Sequence, residues 1–384
     1  MKVKLTIILT VLISTILFGQ KTDSLTFFSS AFQHDRTVYI KTPDFYKYQS
    51  DSVKLPVIYI LDGQHEWFVN PILSAIKYLQ YTHEIPQALV VVIPLTDRKV
   101  ECSLTNLHSD TLALHKFITR ELNEQLESYQ PSDYKILVGH SFSASFALYS
   151  HLLNPVYYSA VIANSPFDSF EELVLAFDEN KQTDKSKISI SIGGSALDKD
   201  YYHRRQYDNL KSKYPAFFNA ITLFEADNSA HNAVPIVAIP YLLTKNFDKF
   251  RSRYSEIAKV NSEYKLINEP ESINYEIKKI VTASRIGNYF YVPEIADING
   301  LASRYLGSGF NEYGISIYEL GIKYYPEYFE FHLALYELLL PINITKAKWH
   351  LNKAYDLLQK LEVELPERQE ILDQLSEEKK KNNW

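Results

Sequence analysis

Apolar and polar positions follow two regimes along the chain, and the change falls near residue 250. Between about residues 24 and 250, short β-rich runs alternate with segments long enough for helices. Residues 37–41 and 57–61 are strand-like, and residues 88–93 are apolar throughout, as in a strand covered on both faces of a parallel sheet. Residues 112–126 carry apolar positions at helical spacing. Residues 158–163, 188–192 and 220–224 supply three more strands, each set apart by a helix-length segment. This alternation predicts an α/β sandwich with a mostly parallel sheet, in which ligands bind beyond the carboxyl ends of the strands.

After residue 250 the periodicity becomes continuously helical. Leu301, Tyr305, Ile315 and Ile317 are echoed 34 positions later by Leu335, Leu339, Trp349 and Leu351. Tyr325-Pro326 closes the first helical pair as a proline does in tetratricopeptide (TPR) repeats. Two such units fall short of the three usually needed for independent stability, so a small all-α, TPR-like region docked on the first domain is expected. The last eight residues, 377–384, read as a solvated tail. The expected organisation is a leader over 1–20, an α/β domain over 21–250 and a helical appendage over 251–384.

The first residues sharpen the picture of where the protein acts. Met1-Lys2-Val3-Lys4 is followed by an uncharged apolar run over 5–18 and then Gly19-Gln20-Lys21. A basic start and a short apolar core describe an export signal, too short and wrongly flanked for a membrane span, with cleavage expected near Gln20. A periplasmic or extracellular location is therefore expected. The single cysteine, Cys102, allows no intramolecular disulfide, so the core alone must hold the fold. A formal net charge of -6 supplies no basic stripe, which sets nucleic acid aside as a partner.

Candidate chemistry centres on Gly139-His140-Ser141-Phe142-Ser143, which ends an apolar strand-like run and opens a segment with helical spacing at Phe146, Leu148 and Leu152. A small-x-Ser-x-small turn between strand and helix is a nucleophile elbow, and Ser141 alone occupies its nucleophile position. Acyl transfer needs a base, an acid that orients it and two donors for the oxyanion. In this architecture base and acid follow the serine. His151 belongs to the helix after the elbow, His332 and His350 to the C-terminal helices, and His203 to a charged helix start. That leaves His231, in the loop after the last strand-like run. The acid is expected from Gly193-Gly194-Ser195-Ala196-Leu197-Asp198-Lys199-Asp200, with Asp198 chosen, Asp200 the alternative and Asp168 third. The oxyanion donors are expected to be the backbone N–H of Phe142 and that of Gly63 or Gln64. No cofactor and no metal is called for.

Several segments together resemble a known family. His34-Asp35-Arg36-Thr37-Val38-Tyr39-Ile40 is similar to an opening strand, Pro56-Val57-Ile58-Tyr59-Ile60-Leu61-Asp62-Gly63 to an oxyanion strand, and Arg98-Lys99-Val100-Glu101-Cys102-Ser103-Leu104-Thr105 to an arginine-plus-acid loop. With the elbow and Asn164-Ser165-Pro166, they resemble the esterase D-like branch of the α/β-hydrolases, which includes ferric-enterochelin and feruloyl esterases. The resemblance covers nearly all of the chain after the leader, and the helical appendage looks like one attached to exported members. It implies Ser141 as nucleophile and His231 as base, and some members work with a Ser-His pair alone. Departures are Ser143 in place of glycine and Phe167-Asp168 where serine and tryptophan are frequent.

Two functions follow as expectations. One is a secreted serine hydrolase acting on small-molecule or carbohydrate-linked esters. The other is a hydrolase-fold scaffold without activity, acting through its helical appendage on a protein partner that the sequence does not identify.

Overall fold

The computed structural model describes residues 22–104, 112–180, 183–361 and 368–384, so the leader and Thr105 lie outside the described residues. Eight strands form one sheet: β1 (Thr22–Ser29), β2 (His34–Lys41), β3 (Leu55–Ile60), β4 (Leu89–Val92), β5 (Pro131–His140), β6 (Ala160–Asn164), β7 (Ile188–Gly193) and β8 (Thr222–Ala226). Their spatial order is β1-β2-β4-β3-β5-β6-β7-β8. The pairs β1–β2 and β2–β4 are antiparallel, and every other pair is parallel.

The central strands are apolar without alternation because both faces are covered. Ile58, Ile60, Val90, Val92, Ile136, Val138 and Ile162 point into one core, beneath helices Glu66–Tyr81 and Val234–Asn246. Their neighbours Val57, Tyr59, Leu89, Val91, Leu137, Val161 and Ala163 point into the other, with helices Phe142–Leu153 and Phe170–Glu179. Fully burying a side chain of this size is worth about 1.5–3 kcal/mol, so these few strands anchor the domain without a disulfide.

The expected strands are all present. Within this eight-stranded sheet the strand not expected from the sequence is β1, whose exposed and half-exposed residues alternate along the sheet edge. Thr22 pairs with Lys41 and Ser29 with His34, so a hairpin extends the sheet beyond the parallel core.

The C-terminal part contains helices Ile273–Ala283, Ile295–Gly307, Asn311–Tyr324, Phe329–Leu339, Ile344–Gln359 and Arg368–Lys381. Its apolar residues join the same two cores as the sheet. Tyr328 packs edge-on against Tyr48 and Phe45, with ring centroids 5.4 and 6.1 Å apart. The Ser50 amide donates to the Tyr324 carbonyl (2.9 Å), the Gln87 amide to Glu294 Oε1 (2.8 Å), and the Ser159 and Tyr289 hydroxyls share a bond of 2.7 Å. Ser50, Gln87 and Ser159 lie just before β3, β4 and β6, so the helices dock at the amino ends of the parallel strands. The final residues are not a solvated tail. They continue the last helix, whose Glu378 accepts from the Tyr336 hydroxyl (3.0 Å), while Trp384 packs on the Tyr336 ring at 6.2 Å. No helix of the described residues is long and apolar enough to cross a membrane.

Candidate active site

The carboxyl ends of β3, β5, β6, β7 and β8 gather the chemistry. At the end of β5 the chain turns sharply into helix Phe142–Leu153, with Ser141 at the turn and its backbone at φ 59° and ψ -118°. A non-glycine residue there is strained, and the surroundings must hold it. They do so from β6: the Ser141 amide donates to the Asn164 carbonyl (2.8 Å), and the Asn164 side-chain amide donates to the Gly139 carbonyl (2.8 Å). Gly139 has to be glycine, because a Cβ there would lie 2.2 Å from the Ser143 carbonyl oxygen.

Ser143 explains the departure from the usual final glycine. Its fully buried hydroxyl donates to Asp62 Oδ2 (2.6 Å) and accepts from the His140 amide (2.8 Å). Asp62, at the end of β3, is also held by Arg98 through Nε (2.6 Å) and Nη2 (3.1 Å), and the same Nη2 donates to the His140 carbonyl (2.5 Å). The serine therefore closes the elbow and ties it to the loop after β3. No feature of the sequence alone announces this Ser143–Asp62–Arg98 network, since its three members come from segments far apart in the chain.

That loop contains the expected oxyanion donors. The Gly63 amide is engaged with the Ile93 carbonyl (3.0 Å), and a Cβ at Gly63 would lie 2.7 Å from the Pro94 nitrogen. Its tight packing and its bonded N–H thus remove Gly63 as a free donor. The Gln64 amide has no partner among the described residues, and the Gln64 side-chain oxygen is fixed by the Leu95 amide (2.8 Å). The Phe142 amide stands at the first position of its helix, where no carbonyl one turn back is available.

His231 stands after β8, and its Nδ1 is 2.9 Å from Oδ1 of Asp200. The carboxylate accepts, so Nδ1 carries the proton and Nε2 keeps its lone pair. Asp200 is fully buried, with Oδ2 receiving the Ser165 hydroxyl (2.6 Å) and the Gly193 amide (3.1 Å). His203 Nδ1 also reaches Oδ1, at 2.8 Å. Burial pushes this carboxyl upward, but the bonds from His203, His231 and Ser165 outweigh it and hold the group well below the usual carboxylate range. The structure does not bring Asp198 to the histidine: its side chain is 75 % exposed and faces Lys199 at 3.4 Å. Asp168 makes no bond to His231 among the described residues.

His203 sits closer to the centre than a solvated helix start would. Its ring stacks on His231 with centroids 4.0 Å apart at an angle of 16°. On another side His140 lies 4.5 Å from His231 and donates from Nε2 to the His231 carbonyl (3.1 Å). Burial first, then His231 and Arg98, push His140 down to about 3, so it stays neutral beside the other rings. A pocket of about 170 Å³ opens here, lined by Asp62, His65, Trp67, Phe68, Arg98, His140, His231 and Asn232.

A mostly parallel sheet with a strained serine at the strand-to-helix turn, and a histidine-aspartate pair after later strands, is the arrangement of an α/β-hydrolase. Residues 29–213 match the family described as "Putative esterase", and the chain is a carboxylic ester hydrolase. Solved structures share the fold. An uncharacterised protein from Capnocytophaga ochracea is 16% identical, with a TM-score of 0.54, over 93% of this chain and 99% of its own. An IroE-like serine hydrolase from Shewanella oneidensis is 19% identical, with a TM-score of 0.55, over 78% of this chain and 98% of its own. At such identities the likeness is one of architecture, and the first of them takes in C-terminal helices as well as the sheet. No curated protein sequence matches the chain.

Proposed function

We propose that the protein is an exported serine esterase that works through an acyl-enzyme on Ser141. The observation that carries this reading is the bond from His231 Nδ1 to a buried, ionised Asp200, in the same carboxyl-end cluster as the strained Ser141. His231 Nε2 takes the Ser141 proton as Oγ attacks the ester carbonyl, and later returns it to the leaving alcohol. Asp200 holds the imidazole in the required tautomer and stabilises its charged form. The Phe142 and Gln64 amides receive the oxyanion. Water then attacks the acyl carbonyl as His231 takes its proton, and the acid leaves as His231 returns that proton to Ser141 Oγ.

Export rests on the leader pattern of residues 1–20, and the two C-terminal hairpins are read as TPR-like. The aromatic wall formed by Trp67 and Phe68 supports small-molecule or carbohydrate-linked esters with a planar or apolar portion. The scaffold reading rests on the altered elbow and the ambiguous acid, but the Ser143 hydroxyl is bonded inside a closed elbow and Asp200 stands at His231, so no observation favours it.

The decisive experiment pairs fluorophosphonate labelling with a panel of ester substrates. The wild-type chain should label at Ser141 and hydrolyse at least one ester, and Ser141→Ala should do neither while keeping its fold. Substantial hydrolysis by that variant would sink the assignment.

A further inference from the structure

A serine hydrolase of this design needs one histidine on its acid, and this chain has two. His203 Nδ1 and His231 Nδ1 lie 2.8 and 2.9 Å from the same oxygen, Asp200 Oδ1. The ligand atoms of all three side chains fall within 4.8 Å of one another. The parallel rings bring both Nδ1 atoms to one point. Their side chains are 20% and 25% exposed, so solvent and small ions reach the imidazoles. Gly193 and Ser165 fix the carboxylate from behind.

Two imidazole nitrogens and a carboxylate oxygen are a donor set suited to borderline divalent cations, with Zn²⁺ the foremost. Ligands at about 2.0–2.1 Å in a tetrahedron stand about 3.3 Å apart, so the present N···O separations need to open by about half an ångström. Only His203, on the first turn of helix Tyr201–Lys213, and His231, in the loop after β8, would have to yield.

We propose that Asp200, His203 and His231 form an inhibitory site for a Zn²⁺-type cation. In its neutral form each ring carries its proton on Nδ1, facing Asp200 Oδ1. When the metal takes that position the proton moves through solvent to Nε2, with no net change in proton count. His231 then has no lone pair to accept the Ser141 proton, and the fourth coordination position is left to water. The site itself follows from the geometry of the cluster. The loss of activity rests on the serine esterase reading.

The test measures Zn²⁺ binding to the full chain by competition with a chromophoric chelator, in parallel with fluorophosphonate labelling. Expected are one Zn²⁺ per chain, suppression of labelling over the same concentration range, and recovery with EDTA. His203→Phe keeps a ring against His231 but removes the nitrogen, and should weaken Zn²⁺ by about tenfold or more while making labelling resistant to it. His231→Ala should lose Zn²⁺ binding as well, a result that the chelator reads without any activity. Absence of binding at micromolar Zn²⁺, or binding unchanged in both variants, would overturn the proposal. A wild-type chain that binds Zn²⁺ through both histidines yet never labels would uphold the metal site and remove the esterase mechanism instead.

Discussion

The choice between two aspartates two positions apart turns on where one short loop points its side chains. Asp198 faces solvent, whereas Asp200 is drawn inward because the Gly193 amide and the Ser165 hydroxyl converge on its second oxygen. Asp200→Asn should therefore lower kcat by about three to four orders of magnitude, as loss of the orienting acid does in a serine triad, with little change in KM. Asp198→Asn should leave both near wild type. Steady-state kinetics on any accepted ester checks this, and equal small losses at both positions would favour a Ser-His pair acting without an acid. Candidates for nucleophile and base can be named from the sequence because chain order and motif spacing restrict them. Neither Asp200 over Asp198 nor the position of His203 was legible, since both depend on the turn after β7 and on Ser165, a residue from a different strand. Gly193 and Asp200 are seven residues apart in the chain, and only the folded loop makes them hydrogen-bond partners.

Elements that carry their own apolar signal were read correctly, and the elbow most clearly. A buried strand, a glycine with no room for a Cβ and an apolar helix together leave few alternatives. The edge strand β1 was missed because its stability comes from pairing with β2 and not from an apolar run. The elbow also shows how one element is fastened to another. Ser143, on the first turn of its helix, bonds Asp62 at the end of β3, and Arg98 completes the link. Ser143→Gly restores the commoner residue yet leaves one buried oxygen of Asp62 short of a donor. A loss of about 1–3 kcal/mol in stability is expected. The loop bearing Gln64 should loosen with it, so kcat should fall more than KM changes, and Ser143→Thr should recover more of the rate than Ser143→Ala. Denaturant unfolding together with kinetics tests the link. A glycine variant as stable and as fast as wild type would show that the bond is idle.

At the scale of the molecule, two features govern stability. The first is a set of histidines kept neutral. Burial, ahead of neighbouring cations, lowers His115, His151 and His332 to about 4 and His140 to about 3, against an ordinary value near 6.5. Between those values the unfolded chain binds protons that the native one refuses, so this contribution is complete above about pH 6.5 and is lost as the pH falls towards 4. Each such group changes stability by at most about 1.4 kcal/mol per pH unit. Tm should fall steeply over that interval and stay nearly flat from pH 7 to 8, which calorimetry would show. The second feature is the docking of the C-terminal helices at the amino ends of the strands, away from the carboxyl ends where Ser141 and His231 sit. Tyr328 is the keystone of that contact, wedged among Phe45, Tyr48, Phe329 and Phe331. Truncating a buried aromatic costs about 3–5 kcal/mol, so Tyr328→Ala should lower Tm markedly, and because both parts share one continuous core the unfolding should remain a single transition. Below that transition, kcat/KM should stay within about twofold of wild type, because no described residue of the helical part lines the pocket at His231. Two separate transitions would mean that the helices fold on their own, and a large loss of kcat/KM in the still-folded variant would mean that they shape the site from a distance.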